Sequence, residues 1–445
     1  ELHDSGQGLS AGPVQFSSVD LEAHLGQDAL RIIECDLAAN GNTLRLGGTW
    51  QLGQDNPPLN LWASARDFRL EDLGSLLPPE IAEQLPRGSL SFDRLELKGK
   101  LRSPLVSGDI EFQLSALPPS MPLNVVSASG VVSITGNDFD LPAASVVLEH
   151  EGERNTIRVS GSGQFSLQPF ALRQGGITAQ LSPDGVPVRV RYSGPFNFDG
   201  YVSGTVYANA GRGTERAVIT GSVTIGGEGL NSTIWIPSSG DVERSSSPGA
   251  PVQLRELKLF ANPGTQVRYS PIDLRAEGNT GEQPLTISGV PGRFSGETNA
   301  PYPDELKICG AAYLTEGSMF LPQFGRTVRV EGGSNRLWFA CEPRALIPYY
   351  TGTAAIVLPR VLQGETIESA GGLQPTRAAQ RGDLKVILGF NDVLLDPSSG
   401  SFDEIQLSSD PPRSPQQIHN YLAGGLSDVA AGRTEITEFA QSELY

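Results

Sequence analysis

Cysteine, methionine and histidine are scarce in this chain, and long apolar runs are missing. Only Cys35, Cys309 and Cys341 occur among 445 residues, and an odd number at such separations makes no disulfide framework. Buried free thiols are the expected state, with a Cys309–Cys341 bridge as the alternative in an oxidising compartment. Positive charge is also in short supply: 33 Lys+Arg stand against 50 Asp+Glu, a net charge of −17. Without a Lys/Arg run the chain has no patch to displace counterions from a phosphate backbone, which excludes ordinary nucleic-acid binding and disfavours strongly anionic membrane surfaces. No stretch approaches the roughly 20 apolar residues of a spanning helix. The opening Glu1-Leu2-His3-Asp4 lacks a signal-peptide pattern, so the chain reads as a soluble segment cut from a longer protein.

The chemistry of a catalytic site is equally sparse. His3, His24, His150 and His419 lie far apart, none with a second ligand at metal spacing. Asp383, Asp392, Asp396 and Asp403 lack the spacing, glycine and glutamate of a calcium loop and read as turn residues. Gly226-Gly227-Glu228-Gly229 is followed by no Lys-Ser/Thr, so a hairpin turn is expected in place of a phosphate loop. Ser160-Gly161-Ser162 reads as turn chemistry, because no nucleophile elbow with a histidine and an acid accompanies it. Trp50, Trp62, Trp235 and Trp338 each fall in a strand-like run, which favours core or groove lining over sugar stacking. No metal, no cofactor and no enzymatic activity are expected.

Alternation with period two is what the chain does have, placing every second side chain on one face of a strand. In Leu95-Glu96-Leu97-Lys98-Gly99-Lys100-Leu101 one face is Leu/Leu/Gly/Leu and the other Glu/Lys/Lys; Ile110-Glu111-Phe112-Gln113-Leu114 repeats the pattern. Similar strands are predicted at 44–52, 59–65, 157–160, 188–192, 218–225, 254–260, 285–288, 327–330, 384–390 and 405–407, bounded by the residues that supply turn conformations. Helices are few. Residues 70–85 carry a helical spacing that Pro78-Pro79 cuts into short pieces. A better helix starts at Ser414, with Pro415 at its first position, Gln417 completing a capping box, and Ile418, Tyr421, Leu422, Leu426 and Val429 on its apolar face. Gly424-Gly425 weakens it, and a further turn or two is expected over 434–444. The stretches 245–249 and 363–381 read as loops or linkers.

With so little helix, the apolar strand faces must be covered by more sheet. A loose repeat of about 20 residues sustained over the whole length favours an all-β, elongated, curled antiparallel or mixed sheet with a hydrophobic groove. Three segments are expected: a groove segment 1–244 with a helical interruption near 70–85, a second groove segment with long loops 245–383, and a C-terminal segment 384–445 of strands followed by an amphipathic helix. Candidate groove-lining residues are Leu44, Leu46, Trp50, Leu95, Leu97, Leu101, Ile110, Phe112, Leu114, Val188 and Val190. A lipid with roughly 30 methylenes costs about 24 kcal/mol to carry through water, at about 0.8 kcal/mol each; an apolar trough would remove most of that.

Ser408-Ser409-Asp410-Pro411-Pro412-Arg413-Ser414-Pro415-Gln416-Gln417-Ile418, followed by Tyr421-Leu422-Ala423-Gly424, resembles the C-terminal signature of the TamB family, the periplasmic subunit of a translocation and assembly module, and the wider AsmA-like group of bridge-like proteins. Gly317-Ser318-Met319-Phe320-Leu321-Pro322, Glu331-Gly332-Gly333 and Leu337-Trp338-Phe339 are similar to that family as well, and so is the strand, Gly, Pro, Gly unit from Leu95 to Gly108. The resemblance implies a curled sheet in the envelope of a double-membraned bacterium, anchored to the inner membrane in the full-length protein. It also implies phospholipid acyl chains as cargo between inner and outer membranes, or assembly of outer-membrane proteins with a barrel partner of the TamA type. The motif residues it marks are Ser409, Asp410, Pro411, Pro412, Ser414, Ile418, Tyr421 and Leu422. A purely structural β-rich surface segment is the remaining reading.

Overall fold

A computed structural model of the chain describes residues 2–3, 10–11, 14–15, 17–39, 41–72, 86–116, 125–167, 170–193, 197–210, 217–236, 252–289, 307–342, 347–363, 380–396 and 405–422. The linker expected at 245–249, most of the interruption at 70–85, the interior of 363–381 and the turns expected over 434–444 lie outside these residues.

Among the described residues the fold is all-β, a curled and mixed sheet beside a separate two-stranded one, with one α-helix. Its strands are β1 (Leu2–His3), β2 (Ser10–Ala11), β3 (Val14–Gln15), β4 (Ser18–Leu25), β5 (Ala29–Ala39), β6 (Asn42–Gln51), β7 (Pro58–Arg69), β8 (Arg87–Lys100), β9 (Ser103–Ala116), β10 (Val125–Thr135), β11 (Asp138–His150), β12 (Glu153–Leu167), β13 (Phe170–Gln180), β14 (Val188–Ser193), β15 (Asn197–Ala210), β16 (Ala217–Ile225), β17 (Ser232–Ile236), β18 (Val252–Ala261), β19 (Thr265–Tyr269), β20 (Leu274–Asn279), β21 (Leu285–Gly289), β22 (Lys307–Leu321), β23 (Arg326–Ala340), β24 (Tyr349–Gln363), β25 (Gln380–Leu394) and β26 (Gln406–Asp410); the helix is α1 (Pro415–Leu422). From β4 to β13 each strand pairs antiparallel with the next in a meander.

The pattern changes at β15. Its outer edge takes both β16 and β17, which run in one direction as two halves of a single row. The next row is parallel to it: β18 lies along β16 and β19 along β17. Beyond this step the sheet is antiparallel again through β20 and β21, β22, β23, β24, β25 and β26.

Register shifts recur along the ladders, for example between Ile32 and Cys35, Ser91 and Glu96, and Leu314 and Gly317. Such bulges bend strands and increase their twist, which curls a sheet. Gly48 stands at one tight point with φ +126°, where an added Cβ would lie 2.1 Å from the Asn60 carbonyl oxygen. Gly48→Ala must therefore strain the backbone or part β6 from β7, and should lower stability by about 3 kcal/mol, read as a fall in thermal midpoint.

Two sequence expectations need correction. Cys309 and Cys341 form a disulfide, with Cα atoms 4.5 Å apart: Cys309 pairs with Ala340 across β22 and β23, which places the next residue within bridging distance. Cys35 is free and buried. Ser160-Gly161-Ser162 lies inside β12, paired with Thr178, Ile177 and Gly176; glycine flanked by serines looks like a turn but also fits close packing of neighbouring backbones. The tight turn expected at 226–229 is present: Gly227 and Leu230 form an antiparallel bridge around Glu228-Gly229, with the Leu230 N–H donating to the Gly227 carbonyl at 3.0 Å, and it makes the jog between β16 and β17, which continue in one direction.

Candidate functional site: the inward apolar face

The strand registers join the apolar residues into lateral rows. One row is Leu37–Leu44–Ala65–Phe92, the next Leu21–Cys35–Leu46–Ala63–Leu95, and a third Ile32–Gly48–Leu61–Leu97–Val106. A longer row runs Leu90–Phe112–Gly130–Ala144–Val159–Ala179–Val206–Gly221. Past the parallel step the same face continues as Phe198–Ile234–Val267–Ala276–Gly317–Val330–Ala354–Leu388–Leu407. Period two puts all of these on one side of the sheet.

Burial divides this face into two regimes. Between β4 and β12 most of its large side chains, including Leu44, Leu46, Leu61, Phe92, Leu95, Leu97, Ile110, Phe112 and Leu114, are only half-buried. They touch their neighbours in the sheet and keep a side open. From β17 onward the face closes on itself: Leu274, Met319, Leu321, Tyr350, Leu384, Leu388, Ile418 and Leu422 are fully buried in one cluster. A smaller cluster of Leu148, Ile157, Val188, Phe198, Val202 and Ile225 lies between the two regimes.

The predicted lining residues separate accordingly. Leu44, Leu46, Leu95, Leu97, Ile110, Phe112 and Leu114 share the open face. Trp50 sits at its margin, between Leu30 and Leu59, and is exposed. Leu101 stands in the turn after β8, exposed and off the ladder. Val188 is buried in the intermediate cluster with Val190 against it.

The C-terminal motif residues gather at the closed end. Ser409 pairs with Val386 and Asp410 with Lys385, and the Ser409 hydroxyl donates to the Pro411 carbonyl at 2.9 Å. Pro411 and Pro412 then take the chain off the sheet. The Gln417 N–H donates to Ser414 Oγ at 3.3 Å and the Ser414 N–H to Gln417 Oε1 at 3.2 Å, a complete capping box. It directs α1 so that Ile418 and Leu422 enter the core, Tyr421 packs at its edge, and the His419 ring meets Phe324 edge-on at 5.5 Å.

A charged group unforeseen from sequence spans a gap in the sheet. Pairing of β12 with β13 stops at Arg158, and β14 is paired with β15 alone, so the start of β12 and the free edge of β14 face each other without a ladder. Arg189 crosses there, 2.8 Å from Glu151, 3.6 Å from Asp199 and 3.9 Å from Glu153. His150 Nε2 lies 3.4 Å from Asp199, and the Tyr201 hydroxyl donates to Glu153 at 3.1 Å. Burial raises the Tyr201 pKa first and its bond to Glu153 adds to the rise. No local motif announces this group, because its members come together only when β14 swings beside the β11–β12 turn.

A hollow of about 960 Å³ lies over β8 to β12, lined by Ser89, Gln113, Ser129, Gly130, Ala144 and Ser145 among others, with Asp67, Arg69, Glu71 and Arg158 at its sides. The carboxylate of Glu71 accepts the Gly88 N–H at 3.2 Å; its pKa is lowered by bonds from its own backbone N–H and that of Gly88. Among the described residues no helix is long and apolar enough to cross a membrane.

Compared with protein-family models, with curated proteins and with solved structures, the chain has no match. The functional reading therefore rests on the geometry of the face.

Proposed function

We propose that this chain carries phospholipid acyl chains along its open apolar face, as part of a protein that moves lipid between the inner and outer membranes of a bacterial envelope. The observation that supports the reading is the run of half-buried leucine and phenylalanine side chains in register from β4 to β12. An ordinary sandwich would bury that face against a second sheet. Exposed as it is, it offers hydrocarbon a route out of water worth about 0.8 kcal/mol per methylene. The resemblance of the segment after β26 to the TamB signature agrees with this role. The Cys309–Cys341 disulfide agrees with an oxidising compartment such as the periplasm. The reaction is physical transfer and asks for no catalytic group.

A photo-reactive residue at Leu97 or Phe112 should capture phospholipid in cells in which the protein is active, whereas one at Lys98 or Gln113, on the opposite face, should not. Failure of the first two labels to capture lipid overturns the reading.

A second reading has its own support. β26 pairs with β25 on one side, and no described strand covers its other edge. An extended segment of an outer-membrane protein could add to that edge by backbone pairing, in concert with a barrel partner of the TamA type. Under it, deleting residues 414–445 should abolish co-purification with that partner.

A further inference from the structure

The outward face of β19 to β23 segregates its charges by sign. Arg268 stands directly opposite Arg275, which is followed across the strands by Ser318 and Arg329. The adjacent row, two residues along the same strands, is Gln266, Glu277 and Glu316, with the two carboxylates directly opposed. Like charges facing each other across a ladder destabilise it, and alternating the two signs would remove that penalty. Arg268 and Arg329 form no ion pair with a described residue, and Arg275 pairs only with the exposed Asp273 at 2.9 Å. Between the rows is a hollow of about 530 Å³ lined by Gln266, Arg275, Glu277, Glu316, Ser318 and Arg329.

We propose that this hollow binds a phosphate–amine zwitterion, the polar chemistry of an ethanolamine phospholipid head group. Guanidinium groups two strands apart, about 9.6 Å at the backbone, converge on a phosphate seated over the Ser318 hydroxyl, and arginine is suited to hold phosphate oxygens in pairs. The acidic row runs parallel at about 6.8 Å along the strands, where Glu277 and Glu316 receive the ammonium. On a chain of net charge −17 an unaided anion is repelled at long range, and a zwitterion is not. The inference rests on the groove reading only for phospholipid as the source of the zwitterion.

The test is a phosphorus NMR titration of the 445-residue chain with glycerophosphoethanolamine and with glycerol phosphate. The zwitterion should bind about ten-fold more tightly than the simple phosphate, since only it engages both rows. Arg275→Gln with Arg329→Gln should abolish binding of both. Glu277→Gln with Glu316→Gln should erase the ten-fold preference while keeping phosphate binding. Competition by ethanolamine-phospholipid vesicles assigns the head group to lipid, and analogue binding without competition assigns it to a free zwitterion; either upholds the site. Equal binding of the two ligands by the native chain, or an unchanged preference in the glutamate variant, overturns it. The soluble analogue has no acyl chain, so its failure to bind rejects this site and leaves lipid capture at Phe112 as a separate result.

Discussion

An arginine placed at Ala63 should empty the groove of lipid and leave the fold standing. Ala63 lies on the open face between Leu46 and Leu95 and is half-buried. In the free chain the new guanidinium can run along the trough to water while its methylenes lie on the leucines, so stability should change by less than about 1 kcal/mol. An acyl chain over the same spot would trap the charge against hydrocarbon. Even a partly relieved penalty of about 3 kcal/mol lowers occupancy more than 100-fold. Lipid capture by a photo-reactive residue at Phe112, two strands away, should therefore disappear in Ala63→Arg while the thermal midpoint holds. Ser64→Arg, one residue on and facing the other side, should capture lipid as the native chain does. Native capture in Ala63→Arg, or equal loss in Ser64→Arg, would show that lipid does not travel on this face.

Much of this face was legible from alternation alone. The runs from Leu95 to Lys100 and from Ile110 to Leu114 fall in β8 and β9 with Leu95, Leu97, Ile110, Phe112 and Leu114 on the inward side, as period two requires, while Leu101 falls in the turn beyond. The capping box at Ser414 was legible because its partners are three residues apart. What alternation cannot convey is which strands close over one another. Leu97 and Leu388 sit in equally regular patterns, yet the first is half-buried and the second lies at the centre of a sealed core. The difference arises from bulges and from the parallel step at β16 to β19, both set by long-range pairing. The same holds for the disulfide, which depends on the register of β22 against β23, and for Arg189, whose acidic partners come from the β11–β12 turn and from β15. Ser160-Gly161-Ser162 misled because small residues suit a tight turn and a crowded strand alike.

Asn335 looks like a loop residue in Gly332-Gly333-Ser334-Asn335, and replacing it with alanine should be among the most damaging substitutions in the chain. The ladder between β23 and β24 breaks between the pairs Glu331–Thr353 and Arg336–Thr351, and the buried Asn335 amide fills the break. Its Nδ2 donates to the Glu331 carbonyl at 3.0 Å and the Gly332 carbonyl at 2.8 Å. Its Oδ1 accepts the Thr353 N–H and the Tyr350 hydroxyl, each at 2.8 Å. Every donor and acceptor of the amide is used. Asn335→Ala strips these bonds at a buried position and should cost about 3–5 kcal/mol, measured by denaturant unfolding. Tyr350→Phe, which removes the hydroxyl's bonds to Asn335 Oδ1 and, at 3.3 Å, to the Thr353 carbonyl and keeps the buried ring against Phe390, should cost about 1–2 kcal/mol. It should also alter the alkaline limb of stability. Burial holds the Tyr350 hydroxyl well above its ordinary pKa of 10.0, so the folded state favours the neutral phenol. That contribution is complete below the unfolded value and is lost progressively as pH rises from about 10 toward the folded one. Native protein should therefore lose stability more steeply above pH ~10 than Tyr350→Phe does; parallel curves would mean that this hydroxyl does not govern the alkaline limb.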